Sequence, residues 1–184
     1  MNIKTLALVT ALALPAIATA DDKKPAPTAP AATKLADDDI KLIAHVHAVN
    51  EMEVKLGAIA ILRGTKPIKD YAVTLGKDHR DGDKDLTAFA KSKGLKKIPA
   101  DAPMPADMKA KSDALDKATG AEFDRQFLDM MVMGHEGEVA KLEAALPNIK
   151  DADLASKMRD LKPILQRHAD AARALRKSAP TASK

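Results

Sequence analysis

The sequence predicts an all-α protein, a four-helix bundle with a short extra helix in one long connection. Apolar residues recur every three or four positions over four long segments, which is the period of an amphipathic helix. No segment alternates apolar and polar residues as a half-buried strand would. Two of the three connections between the long segments are short, and the third is long. These observations together favour helices packed around one core.

The first twenty residues resemble a secretory signal rather than part of the fold. Lys4 precedes an apolar run from Leu6 to Ala18, and Ala18-Thr19-Ala20 is a small-residue cleavage motif. We expect cleavage after Ala20 and a periplasmic or secreted protein. With no cysteine in the chain, a lipid anchor on that residue is excluded. Residues 21–36 are rich in proline and alanine and predict a flexible tether. We expect the bundle domain to comprise residues 37–178 and residues 179–184 to form a disordered tail.

Local signals give the bounds of each helix. Asp37 to Asp39 offer N-caps for a first helix that ends near Arg63, before Gly64-Thr65. Pro67 suits the first turn of a second helix, which Gly94 would end. Prolines between residues 95 and 106 predict a loop, and residues 107–118 predict a short helix that Gly120 would stop.

The last two long helices are predicted at residues 122–145 and 151–177, separated by Pro147. Pro163 falls inside the last helix, where we expect a kink because proline removes one helical hydrogen bond. The connection between the second and third long helices can cross the bundle from end to end. This is the arrangement of ferritin-like folds.

Composition excludes several functional classes. The 30 Lys and Arg residues are interspersed with 26 Asp and Glu residues, and only 2% of the chain is aromatic, so no nucleic-acid surface is predicted. Beyond the signal no apolar run is long enough to span a membrane. There is no thiol nucleophile, and no Glu-x-x-His motif of the di-iron oxidases. A role without catalysis is therefore favoured over an enzyme.

Four ionisable residues fall on the inward faces of the four long helices: Glu53, His79, His135 and His168. Glu53 and His79 lie at similar distances from the turn between their helices, so they should differ in depth by only ~3 Å. A buried ionisable side chain is costly unless a partner satisfies it. We therefore expect the four to meet in one layer of the bundle.

Two interpretations of that layer remain open. Three imidazoles and a carboxylate suit a divalent transition metal, zinc, copper or iron, better than calcium or magnesium. Three carboxylates would then orient the imidazoles by accepting hydrogen bonds from their N–H groups: Asp78, Asp124 and Glu138. Alternatively, the same residues form a buried polar network that fixes helix register and bind no cofactor.

Four short motifs stand out along the chain: Glu53-Val-Lys-Leu-Gly57, Asp78-His79, Phe123-Asp124 with His135, and Pro163 followed by His168. Together they resemble the exported family called domain of unknown function 4142. The resemblance covers residues 37 to 177 and implies a ferritin-like helical fold and an exported location, but no activity. Lys162 departs from the apolar residue usual before that proline. A more distant similarity, through Phe-Asp-x-x-Phe-x-x-x-Met-x-x-x-His, is to exported copper-associated bundles.

Two functional classes follow from the sequence. The first is an exported bundle that binds a transition metal, in envelope stress or metal homeostasis. The second is a structural or interaction module of the cell envelope, without catalysis. The sequence does not identify a partner. The candidates are an envelope protein and a second copy of the chain.

Overall fold

The computed structural model describes residues 34–104 and 106–178. The predicted signal peptide, most of the predicted tether and the predicted tail lie outside the described residues. The all-α prediction is confirmed for the part of the chain that is described, where the secondary structure is helical throughout.

Five α-helices follow one another along the chain. They are α1 (Asp37–Arg63), α2 (Lys66–Ser92), α3 (Ala106–Lys117), α4 (Gly120–Ala145) and α5 (Ala152–Ser178), with a short 3₁₀ turn at Leu146–Asn148. Pro67 lies in the first turn of α2 as expected, and α5 continues through Pro163. Gly120 was expected to stop α3; instead it begins α4, with a positive φ of 55° that glycine adopts without strain.

The aspartates expected to cap α1 are inside the helix. Ala36 is the N-cap residue, and Asp37 to Asp39 form the first turn, where carboxylates interact favourably with the helix dipole. Asp39 is buried and accepts hydrogen bonds from the backbone N–H groups of Lys150 and Asp151, at 3.1 and 2.9 Å. It thereby ties the start of α1 to the turn before α5.

Two helical hairpins make up the bundle. The helix α1 packs along α2, and α4 packs along α5, while α1 also contacts α4 and α2 contacts α5. Gly57 allows the first pair a close approach, because a Cβ atom there would stand 3.3 Å from the carbonyl oxygen of Ala72. The long connection that holds α3 joins the two hairpins, as predicted for the ferritin-like arrangement.

Buried apolar residues form two clusters, one toward each end of the bundle. One contains Leu56 and Ala60 of α1 with Phe123 and Phe127 of α4. The other contains Ile43 and Val46 of α1 with residues such as Leu86, Leu142 and Leu165 from the other long helices. Along each long helix, a buried polar residue lies between its contributions to the two clusters: Asn50 and Glu53, His79, His135 and His168. The polar layer is therefore in the middle of the core.

Among the described residues, no helix combines the length and the apolar character needed to cross a membrane.

Candidate metal centre

Three histidines from three different helices meet in the polar layer. His79 of α2, His135 of α4 and His168 of α5 each offer a ring nitrogen, and these nitrogens lie within 4.8 Å of one another. The ring centroids are 5.2 to 5.5 Å apart. Each side chain is at most 3% exposed. We call these three residues the histidine cluster.

The hydrogen bonds of two members fix the position of their protons. His79 donates from Nδ1 to Asn50 Oδ1 at 2.8 Å, and His135 donates from Nδ1 to the carbonyl oxygen of Met131 at 2.8 Å. Both acceptors are oxygens, so in each neutral ring the proton is on Nδ1 and Nε2 carries a lone pair. The two Nε2 atoms are 3.3 Å apart. With no proton available between them, two lone pairs face each other across this distance.

His168 is oriented the opposite way round. Its Nε2 donates to Asp78 Oδ2 at 3.0 Å, so Nδ1 carries the lone pair. Nδ1 is buried and has no hydrogen-bond partner in the part of the chain that the structure describes. Buried polar atoms of folded proteins are almost always paired. The unpaired Nδ1 therefore marks a position where a further group would be stabilising.

Burial keeps the three rings uncharged. It lowers the pKa of His79 to about 3, with further lowering by the neighbouring His135 and His168. The pKa of His135 is lowered to about 4, mainly by burial, although its bond to the Met131 carbonyl opposes the shift. Burial also lowers the pKa of His168, against the opposing effect of Asp78. At neutral pH the cluster presents lone pairs rather than positive charges.

Glu53 is the fourth buried ionisable residue of this layer. Its side chain is 4% exposed, and it lines a cavity of about 40 Å³ that His135 also lines. Burial raises its pKa to about 8, with a further contribution from Glu138, and none of the described residues forms a hydrogen bond with its Oε2 atom. Glu53 is not among the residues whose ligand atoms lie within 4.8 Å of one another, which are the three histidines. It faces the same cavity as a neutral carboxyl group.

The three expected orienting carboxylates are placed differently from one another. Asp78 accepts from His168, as expected of such a residue. Asp124 instead accepts from the backbone N–H and the hydroxyl of Thr65, at 3.2 and 2.6 Å. It lies eleven residues before His135 on α4, or ~16 Å along the helix axis, which is too far to reach the cluster. It serves instead to join α4 to the turn between α1 and α2.

Glu138 accepts from a histidine outside the cluster. His45 contacts Glu138 through Nε2 and Asp101 through Nδ1, both at 2.8 Å. These bonds raise the pKa of His45, the one from Glu138 most strongly, against the effect of burial. The interhelical contact joins α1 and α4 to the loop before α3. It was not predicted, because the position of Asp101 depends on the path of that loop.

Two acceptors in the layer were also missed. Asn50 precedes Glu53 by one turn on the inward face of α1, so helical spacing could have identified it as a partner for a histidine. The carbonyl of Met131 is a helix carbonyl four residues before His135, and nothing in the sequence distinguishes it from other carbonyls.

A family model, the domain of unknown function DUF4142, matches residues 24–175. The chain belongs to the DUF4142 family. No curated protein matches the chain.

Solved structures with the same fold come from other proteins of low sequence identity. A DUF305 fragment from Deinococcus radiodurans has a TM-score of 0.69 at 15% identity, over 79% of this chain and 99% of the fragment. CopM has TM-scores of 0.64 in its Cu(I)-bound form and 0.65 in its Cu(II)-bound form. The identities are 18% and 17%, and both matches cover 76% of this chain and 95% of CopM. At these identities the similarity shows a shared helical fold.

Proposed function

We propose that this DUF4142 protein binds a transition metal ion at the histidine cluster, with Glu53 as a fourth ligand. The observation that carries the proposal is the orientation of the rings. Each histidine uses one nitrogen to donate to a protein acceptor and leaves the other, without a proton, in the buried layer. A cation bound in this layer would be coordinated by the lone pairs of the three unprotonated ring nitrogens.

The spacing of the nitrogens supports this assignment. Zinc–imidazole bonds are ~2.0–2.1 Å long, so two imidazoles on a tetrahedral ion have nitrogens about 3.3–3.4 Å apart. The Nε2 atoms of His79 and His135 are 3.3 Å apart. His168, on a third helix, offers a ring nitrogen within 4.8 Å of those of the other two histidines, and its unpaired Nδ1 would complete a set of three nitrogens.

The acceptors behind the rings also suit a metal site. Histidine ligands usually donate their second N–H to a carboxylate, a carbonyl or water, which fixes the tautomer and raises the basicity of the ligating nitrogen. Here the acceptors are an amide oxygen from Asn50, the Met131 carbonyl and the Asp78 carboxylate.

Glu53 would supply the negative charge that three neutral imidazoles lack. Its raised pKa reflects the cost of a carboxylate in a buried place without a compensating charge. A divalent ion beside it would provide that charge and favour the ionised form. The adjoining cavity of about 40 Å³ has room for a water-sized group near His135.

The ligand types suit copper, zinc or iron, and copper is the first metal to test. Imidazole is a ligand for all three, and the preference of a nitrogen site among divalent ions is greatest for copper. The similar fold of CopM, known in Cu(I)- and Cu(II)-bound forms, supports the same choice.

The test is metal binding by protein stripped of metal and purified without an affinity tag. We expect calorimetric titration with Cu(II) and Zn(II) at neutral pH to show one tight site. Each of His79→Gln, His135→Gln and His168→Gln should remove most of the affinity, because each deletes one nitrogen ligand. The matched control is His47→Gln, since His47 is on α1 outside the cluster, bonded to Asp83.

The alternative is a buried network that fixes helix register and serves a structural or interaction role in the envelope. It predicts a different pattern. The cluster variants would change the free energy of unfolding, while the parent protein would bind none of the metals tightly. Such a result would reject the metal assignment.

We further infer that the chain is exported and that the mature protein begins at Asp21, as residues 1–20 indicate. Residues 21–36 would then be a tether to a bundle domain of residues 37–178. Intact mass of the protein from the periplasmic fraction tests this, and retention of residues 1–20 would contradict it.

A further inference from the structure

A second feature of the molecule adjoins the proposed centre: a cleft of about 480 Å³ between α1, α4 and the segment that leads into α3. Met52, Met104 and Met108 line it, together with Met133, whose sulfur accepts a hydrogen bond from Lys111 Nζ at 2.8 Å. His45 and Asp101 form one of its walls through their hydrogen bond. We call it the methionine cleft. Since the chain has no cysteine, thioethers are its only sulfur ligands.

The methionine cleft and the cavity beside the proposed centre share several lining residues. The cavity that Glu53 and His135 line is also lined by Met52, Met108 and Gly134, and all three of these residues line the cleft as well. Met104 is 45% exposed at the outer side. Thioethers are therefore found from the solvent-exposed part of the cleft to the wall of the buried cavity.

A glycine lies where the cleft and the cavity meet. Apart from its chain neighbours and the nearby backbone of its own helix, a Cβ atom added at Gly134 would meet no atom of residues 34–104 and 106–178 within 4 Å, so the space in front of this residue is open. Glycine is less favourable than alanine in a helix interior. Here its absent side chain leaves a gap in the wall of α4 next to His135.

The chemistry of the lining selects a class of ion. Thioether sulfur is a soft ligand that favours Cu(I), whereas hard ions such as Mg²⁺ and Ca²⁺ require oxygen ligands. Methionines on an apolar face are also common as core filler, but such residues are buried in contact with other apolar groups. Met158, buried at 2% exposure in the core, is one such residue in this chain. Met104, by contrast, is at the surface of an open cleft.

We propose that the methionine cleft captures Cu(I) through the thioethers of Met52, Met104 and Met108 and passes it to the histidine cluster by ligand exchange. No electron is transferred in this step, because the ion keeps its charge while sulfur ligands are replaced by imidazole nitrogens. The delivery half of the proposal rests on the function proposed above. The capture half depends on the cleft alone.

Capture is tested on the full mature protein with methionine labelled in its methyl groups. Ag(I) serves as the probe, because it has the charge and softness of Cu(I) and is not redox active. We expect one equivalent to shift the methyl resonances of Met52, Met104 and Met108 and to leave that of Met158 in place. The same shifts should occur in the His135→Gln protein, since the cleft does not use that side chain.

Delivery is tested by the rate at which Cu(I) reaches the cluster under anaerobic conditions. The joint change of Met52, Met104 and Met108 to leucine, which nearly conserves volume, should slow loading with Cu(I) but not with Zn(II). Met158→Leu is its control. Should the triple variant fail to fold, Met104→Leu alone, at an exposed position, should still slow loading. Gly134→Leu should slow loading with both metals, because the leucine side chain would fill the gap. Gly82→Leu should slow loading with neither metal. Gly82 is an exposed glycine of α2, and among the described residues no atom outside its own helix backbone and chain neighbours lies within 4 Å of its Cβ position.

The two proposals fail in different ways. Unshifted Met52, Met104 and Met108 methyl groups in the parent protein, or Cu(I) loading of the leucine variants at the parent rate, would overturn the role of the cleft. Tight metal binding to the cluster would survive that result. If instead the cluster variants bind as tightly as the parent while the methyl groups shift, the function proposed for the histidines is overturned, and so is delivery to them.

Discussion

Replacing Glu53 by glutamine should stabilise the metal-free protein, and should do so only above the pKa of an ordinary glutamate. The substitution keeps the shape of the side chain and removes its ability to ionise. In the folded protein burial raises the pKa of Glu53 to about 8, from 4.5 for an unperturbed glutamate. The parent protein therefore holds a proton at this position when folded and releases it on unfolding.

The sign and size of the effect follow from this difference. Between pH 4.5 and 8 the folded state binds more protons, so the free energy of unfolding decreases as pH rises through this interval. From 4.5 to neutral pH is about 2.5 units at 1.36 kcal/mol each, so the carboxyl group destabilises the metal-free protein by about 3 kcal/mol at pH 7. Glutamine has no such term. The gain should be near zero at pH 4.5, about 3 kcal/mol at pH 7, and constant above the folded-state pKa.

Urea unfolding followed by circular dichroism, in buffer with a chelator and over a series of pH values, measures this difference. The matched control is Glu51→Gln on the exposed face of the same helix, which should stay within about 0.5 kcal/mol of the parent at each pH. A constant difference between Glu53→Gln and the parent across the series would refute the reasoning. Added metal should then favour the parent over the variant, because a carboxylate binds a cation more strongly than the neutral amide that replaces it.

Two further predictions concern packing and the orientation of a ligand. Gly64→Ala should destabilise the protein by about 1–3 kcal/mol in the same unfolding assay, because its methyl group would stand 2.6 Å from a side-chain carbon of α2. Gly82→Ala, which has free space for its methyl group, should stabilise the protein by about 0.5–1 kcal/mol. Equal effects of the two substitutions would contradict this packing. Asp78→Ala should weaken metal binding about 10–100-fold by calorimetry through loss of the acceptor of His168, whereas Asp81→Ala, an exposed residue of the same helix, should leave it unchanged.

The helices could be predicted well because their signals are local. Helical periodicity, Pro67 near the start of α2 and the glycines around its ends are all properties of neighbouring residues, and the observed helices end within two residues of the predicted ones. The same periodicity placed Glu53 and the histidine cluster on inward faces, and all four are buried. The differences arose at helix ends, where Gly120 was able both to stop one helix and to begin the next.

The sequence by itself determined the class of fold, the approximate ends of the helices and the set of buried ionisable residues, because each depends on the spacing of residue types along one helix. Only the tertiary structure decided which atoms meet. In the structure His168 leaves Nδ1 unprotonated, whereas His79 and His135 leave Nε2 unprotonated. Asp124 accepts a hydrogen bond from Thr65 and not from the histidine cluster. The tertiary structure also brought the loop before α3 against α1 and α4, which made the methionine cleft. Rotamers, tautomers and loop paths depend on contacts between distant parts of the chain, and residue spacing does not record them.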